Sequence, residues 1–399
     1  MSLPLSGLKV LDLSRALSGP YCAMVLADLG AEVIKAEALP GGDMARQWGP
    51  IDREISVYYL STNRNKKGLA VNFRSPEGLA LLARLAAKCD VLVENFKVGT
   101  MEQMGLAYDV LSAKNPALIM GSISGFGRTG PASHWAGFDQ IAQGYTGFMS
   151  LTGTPETGPT RVGTPLGDLV SGMWLTIAIL AALNSRQSTG RGQHVDTSLV
   201  AGLMSLLSVQ GQRYLSLHEI PEPNGNAHPV LAPYETFQTA DGPLNLAPAT
   251  EAMWVRLCEL LGVPDLPKDP RFINNTERMR NRVALKAQLE SRLRTRNRAE
   301  WTPLFIENGI PAGPINNLEE AFAEAQVKAA AIVEQVTHPL LGQLSMVGSP
   351  MRFSTDAAHH SVRTPAPALG EHTREVLGEF GIGEAEVAKL LAAGVILQA

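Results

Sequence analysis

Leu8-Lys9-Val10-Leu11-Asp12-Leu13, the stretch over 20–29, and Ala31-Glu32-Val33-Ile34-Lys35-Ala36 together decide the fold. The first and last runs carry branched aliphatic residues and predict strands, while the middle one predicts a helix with Pro20 in its first turn. Strand, helix and strand make a βαβ unit. The alternation continues with the strand Gly68-Leu69-Ala70-Val71-Asn72, a helix over 76–88, the strand Asp90-Val91-Leu92-Val93-Glu94 and the strand Ala117-Leu118-Ile119-Met120-Gly121. Such alternation implies an α/β chain with a mostly parallel sheet covered on both faces.

Beyond it, Leu169-Val170-Ser171-Gly172-Met173-Trp174-Leu175 opens an apolar stretch to 183, expected to be a helix buried all round. It is short for a membrane span and carries Ser171, Gly172 and Thr176, so a core helix is the reading. A second long helical stretch is expected over 196–217. The polar, proline-bearing segment 219–226 then marks a boundary. After it come a hairpin around Ala240-Asp241-Gly242 and amphipathic helices over 251–261, 281–293 and 298–308, a smaller α+β domain. Strand character returns from Thr337, and two helices close the chain over 370–394. The expected division is 1–218, 225–325, and 337–399 returning to the first domain.

The 399 residues suffice for two cores, and a formal net charge of −4 gives no sign of a nucleic-acid groove or a membrane-binding basic surface. Cys22, Cys89 and Cys258 lie far apart in apolar or helical contexts, which suits reduced core thiols and a cytoplasmic protein. Met1-Ser2-Leu3-Pro4-Leu5 has neither the basic nor the apolar segment of a secretory signal. His359-His360 sits in a polar stretch read as surface. No metal site is expected, because no ligand set at metal spacing occurs.

Gly125-Phe126-Gly127-Arg128-Thr129-Gly130 matches the dinucleotide fingerprint by letter, but Pro131-Ala132-Ser133-His134-Trp135 does not open the helix whose N-terminus would receive a pyrophosphate. Asn63-Arg64-Asn65-Lys66-Lys67 is the densest basic stretch, and it reads either as a polyphosphate contact or as a solvated face. Asp168 stands apart. It lies on the glycine turn Gly163-Thr164-Pro165-Leu166-Gly167-Asp168 at the mouth of the apolar helix, and the next charged residue is Arg186. A carboxylate there is either a helix cap or a group placed for chemistry.

Taken together, several stretches resemble family III CoA-transferases over essentially the whole chain. They are Gly19-Pro20 with Gly30-Ala31-Glu32-Val33-Ile34-Lys35, the basic run at 63–67, Glu94-Asn95-Phe96-Lys97, Gly125 to Pro131, Gly167-Asp168, Gly309-Ile310-Pro311-Ala312-Gly313-Pro314 and Leu369-Gly370-Glu371-His372-Thr373. The resemblance implies a Rossmann-like large domain formed by both chain ends, a small middle domain and an interlocked homodimer. It also implies Asp168 as nucleophile, Asp139 as an acidic neighbour, and coenzyme A thioesters as substrates with no permanently bound cofactor. Asn95, Phe96 and Lys97 match the CoA site, while Ala16, Leu17 and Ser18 match the turn beside the thioester. Gly167 and the loop of Asn226, Ala227 and His228 are the candidates for oxyanion donors.

The chain also departs from the pattern. Leu17 replaces a glutamine, Gln103 stands where arginine is frequent, and Gly225-Asn226-Ala227-His228-Pro229 replaces a glycine run, which argues against formate as acceptor. Related racemases on this fold need a histidine where Gly137-Phe138-Asp139 puts phenylalanine, which cannot carry a proton. A non-catalytic CoA-binding protein is the other alternative, and retention of Asp168 argues against it. The acids exchanged are expected to be succinate, delivered as succinyl-CoA, and a small dicarboxylate held at its far end by Arg or Lys.

Overall fold

The computed structural model describes residues 3–354 and 360–399; Met1, Ser2 and His359 lie outside the described residues. Parallel strands β1 (Lys9–Asp12), β2 (Glu32–Ala38), β3 (Lys66–Val71), β4 (Val91–Glu94), β5 (Ile119–Ser124) and β6 (His194–Ser198) form one sheet in the order β3-β2-β1-β4-β5-β6. Ile396–Leu397 adds an antiparallel edge strand beside β3, so the end of the chain joins the sheet that its beginning starts. The order turns back between β1 and β4. In such sheets a crevice opens there, outside the carboxyl ends of the strands.

Alternate strand residues feed two cores. Val10, Val33, Val91 and Ile119 share one with Leu26 of helix α1 (Ser18–Asp28), while Leu11, Ile34, Leu69 and Leu92 share the other with Leu82 of helix α3 (Pro76–Ala86). Ser75 begins α3 by accepting the Gly78 amide hydrogen, with Pro76 in the first turn. Between them lies the short helix α2 (Val57–Asn63). Helix α4 (Asp139–Tyr145) and the long helix α5 (Leu166–Thr189) follow β5.

Three expectations are corrected. The stretch over 196–217 is not one helix. His194–Ser198 pairs with β5 as a strand, Ser198 then caps helix α6 (Leu199–Leu206), and a break before Ser208, at φ 41°, separates the helix Ser208–Leu217. Helix α5 is not buried all round either, because Met173, Trp174 and Ile177 are exposed while Gly172, Leu175 and Ile179 are buried. It is long and apolar enough to cross a membrane, yet its buried face belongs to the core beneath β5.

The third concerns the basic run, whose central charges are neither solvated nor free for phosphate. Arg64 makes a two-pronged contact to Asp28, at 3.0 and 2.6 Å, and Lys66 donates to Asp12 at 2.9 Å; all four are buried. The local sequence showed the cations, but their partners sit 36 and 54 residues away.

Contacts within the chain divide it into two compact units, one of Met1–Met149, Arg161–Ile220 and Ala331–Ala399, the other of Ser150–Thr160 and Pro221–Ala330. The second holds an antiparallel sheet of Glu235–Gln238, Pro243–Leu246 and Ala312–Pro314, packed by helices Glu251–Leu260, Arg282–Leu293 and Arg298–Glu307. Its core is aromatic, with Phe237, Trp254, Phe272 and Phe305 fully buried. Ser150–Thr160 belongs to this unit, although sequence reading leaves it within 1–218.

Candidate active site

A cavity of about 440 Å³ occupies the first unit and draws on the turns after both β1 and β4, where the strand order reverses. Arg15, Ala16, Leu17 and Ser18 come from one turn and Asn95, Phe96 and Lys97 from the other; Asp139 and Asp168 line it as well. Distant stretches of sequence thus converge on one space. Asn95 ties the two turns together, accepting the Arg15 amide hydrogen at 2.8 Å while its own amide donates to the Arg15 carbonyl at 2.8 Å. Phe96 donates its backbone N–H to the buried Glu94 carboxylate at 2.8 Å, and the Arg15 guanidinium lies over the Phe96 ring. Lys97 is exposed at the rim.

Asp168 reaches the cavity because two close backbone approaches require glycine. A Cβ at Gly172, one turn further along α5, would stand 2.7 Å from the Ser18 carbonyl oxygen, so α1 and α5 touch through their backbones there. A Cβ at Gly125 would stand 2.6 Å from Gly137 Cα, which lets the loop leading to Asp139 fold against the end of β5. The first glycine of the fingerprint-like run therefore serves backbone packing.

Asp168 is not the helix cap. Pro165 holds that position, and Asp168 sits in the first turn. Burial, above all, and then the negative charge of Asp139 raise its carboxyl to about 7, against a smaller opposing hydrogen bond from Ser18. An ordinary carboxylate, by contrast, is already ionised at neutral pH. A more basic carboxylate is the stronger nucleophile once ionised, and here the surroundings set its proton near neutrality.

Asp139 is buried and both of its oxygens are engaged. One accepts the Gly167 amide hydrogen at 2.7 Å, the other the Gln143 side-chain amide at 2.7 Å, and Gln143 in turn accepts the Val162 amide hydrogen at 3.0 Å. The turn carrying Asp168 is thereby pinned at both ends. This corrects the assignment of Gly167 as an oxyanion donor, since its N–H points at Asp139. Asn226, Ala227 and His228 belong to the second unit, where Asn226 borders a separate hollow with Tyr234 and Asn245.

Sequence reading missed other wall residues. Tyr58, edge-on to Trp48 at 5.2 Å, lines the cavity, and burial followed by the charges of Asp168 and Asp139 pushes its hydroxyl up to about 12, so it stays protonated. Arg161 and Trp135 also line it. No motif spacing marks these residues; only the folded chain brings them to Asp168. Phe138 lies in the wall too, beside Asp139.

Comparison with known proteins agrees with this architecture. A family model described as CoA-transferase family III matches residues 5–373. The chain is 40% identical over 398 residues to succinyl-CoA:glutarate CoA-transferase of Mus musculus, covering 99% of this chain and 91% of that protein. It is 38% identical to succinate–glutarate CoA-transferase of Agrobacterium fabrum, covering 94% and 96%. A crystal structure of a CAIB/BAIF family protein from Brucella suis superposes with a TM-score of 0.87 at 40% identity, covering 95% of this chain and 100% of that one.

Proposed function

The chain belongs to CoA-transferase family III, and from that premise we propose that it moves coenzyme A from succinyl-CoA to a small dicarboxylate, with Asp168 as the covalent carrier. The observation that carries this reading is a basic carboxylate, near pH 7, facing a cavity at the sheet's switch point with cations on its rim. The relatives act, by their names, on succinate and glutarate, both dicarboxylates.

In the proposed course, an Asp168 oxygen attacks the thioester carbonyl carbon, the C–S bond breaks, and CoA leaves as thiolate from a mixed anhydride. The thiolate attacks the aspartyl carbonyl and expels succinate, leaving CoA as a thioester on Asp168. The acceptor carboxylate then attacks that carbonyl, CoA thiolate leaves again, and its attack on the acceptor's carbonyl releases the new thioester and the free Asp168 carboxylate. No base is consumed at any step. Each attack creates an oxyanion; with the Gly167 amide occupied, the loop of Asn226, Ala227 and His228 is assigned its donors by resemblance. Asn95, Phe96, Lys97, Ala16 and Leu17 are assigned to CoA, with Lys97 facing phosphate and Arg15 or Arg161 the distal carboxylate of the acid.

We infer a cytoplasmic homodimer. The exposed apolar residues Met173, Trp174 and Ile177 of α5, with Val209 and Leu215 beyond α6, favour burial against a partner. The buried thiols, pushed up to about 12 by burial, suit a reducing compartment.

The deciding assay supplies succinyl-CoA with glutarate, itaconate, mesaconate, oxalate or carnitine and follows the new thioester by chromatography. Transfer to the dicarboxylates is expected. Activity confined to formate or an aromatic acid overturns the acceptor assignment, and solvent deuterium entering the α-carbon of a 2-methylacyl-CoA would point to racemase chemistry.

The acid limb of the rate tests the electrostatics. Protonated Asp168 cannot attack, so kcat/KM should rise with pH through about 7 and level above it. Asp139→Asn keeps an oxygen for the Gly167 amide but removes the charge, so Asp168 loses its proton more easily and the limb moves to lower pH. An unmoved limb in a folded variant would mean that Asp139 does not set this proton.

A further inference from the structure

Lys35 and Asp43 form a fully buried ion pair at 3.0 Å, unused by the chemistry above yet placed directly behind the cavity wall. Lys35 also donates to the Ser14 carbonyl, and both Asp43 oxygens lie within hydrogen-bond distance of the Ala16 amide nitrogen, at 2.9 and 3.1 Å. Ala16 needs that hold. Its φ of 64° is left-handed, a conformation that residues with a side chain rarely adopt without support. Around the pair stand Asp12, Glu37, Lys66 and Arg46, so both charges are enclosed in a network and cannot turn to solvent.

We propose that the Lys35–Asp43 pair is a positioning element for the reaction: gripping Ser14 and Ala16 on either side of Arg15, it locks the turn that delivers the Ser18 hydroxyl to Asp168. Ser18 is buried, lines the cavity together with Asp168, and opens α1 two residues after Ala16 takes the reversed conformation; its hydroxyl favours the ionised form of Asp168. The claim rests on the assignment of Asp168 as nucleophile. It predicts that disturbing Asp43 reproduces the loss of Ser18.

Asp43→Ala should lower kcat by about tenfold or more, in line with the cost of small misplacements, with the donor KM much less affected. Its acid limb should move to higher pH, because the Ser18 bond that favours ionised Asp168 is gone. Ser18→Ala should do the same, and the double variant should be no worse than either single one. Asp43→Asn, which keeps an oxygen for Ala16, should recover most of the rate. Where Asp43→Ala does not fold, Lys35→Met with Asp43→Leu removes both charges together and carries the same readouts.

A folded variant with unchanged kcat and acid limb, or effects of Asp43→Ala and Ser18→Ala that multiply, overturns the proposal. Carboxyl NMR of aspartate-labelled protein, referenced to Asp168→Asn, reads the Asp168 titration without substrate. It separates this inference from the CoA-transfer reading, since an upward shift in Asp43→Ala supports positioning, and none refutes it, even if the wild type moves no CoA.

Discussion

Asp168→Ala should abolish CoA transfer, with a fall in kcat of roughly 10⁴-fold or more, as is typical when a covalent nucleophile is removed. Among the described residues, the other candidate groups are not placed to replace it. Asp139, whose charge acts on Asp168, has its two oxygens committed to Gly167 and Gln143. Tyr58 keeps its proton at neutral pH. Cys22, Cys89 and Cys258 are buried, protonated thiols. Asp168→Asn is the sharper variant, because it preserves size and can still accept the Ser18 hydrogen while its amide is a poor nucleophile. It should be as inactive as the alanine variant yet as stable as the wild type.

Mass spectrometry supplies the positive half of the same test. The wild type incubated with succinyl-CoA should carry CoA on the peptide containing Asp168, and neither variant should. An adduct on another peptide, or a variant keeping a tenth of the wild-type rate, would sink the assignment.

The second large effect is on stability. Asp12→Ala should cost about 3–5 kcal/mol, the usual consequence of leaving a buried charge without its partner. Here two lysines lose it. Asp12 accepts from Lys66 at 2.9 Å and lies 4.0 Å from Lys35, and all three side chains are shielded from water at the centre of the sheet. Typical domains are stable by only about 5–15 kcal/mol, so the variant should unfold at markedly lower denaturant or temperature.

Acid should act in the same direction. Burial pushes the Asp12 carboxyl up, but Lys35 and Lys66 with the Ser14 hydrogen bond outweigh it and hold the group below the usual 3.8. Because the folded value is the lower one, its stabilisation is present at neutral pH and is lost as pH falls from about 3.8 through the folded value. The variant should therefore lose less stability than the wild type across that acid window. Equal denaturation midpoints at pH 7 for the two proteins would refute the account.

Much of this was legible along the chain. The periods of β1, α1 and β2 announced the parallel sheet, and Pro131 to Trp135 open no helix, as their sequence led one to expect. Helices and strands of the second unit appeared close to where their amphipathic patterns and the Ala240-Asp241-Gly242 turn placed them. Where reading failed, the deciding partner was distant. His194–Ser198 looks like the head of a helix until β5 offers a ladder, and Arg64 looks solvated until Asp28 meets it.

By itself, then, the sequence determined the α/β alternation, the exceptional standing of Asp168 and, through a set of matching motifs, the family. Those properties are local, because turn chemistry, hydrophobic period and residue type act over a few neighbours. The tertiary structure alone decided the state of Asp168. Its carboxyl is set near 7, not near 4, because burial and Asp139, twenty-nine residues away, act through space. It likewise decided that the Gly167 amide serves Asp139 and that Lys35 and Asp43 hold Ala16, since charge and hydrogen bonding follow distance in the folded chain.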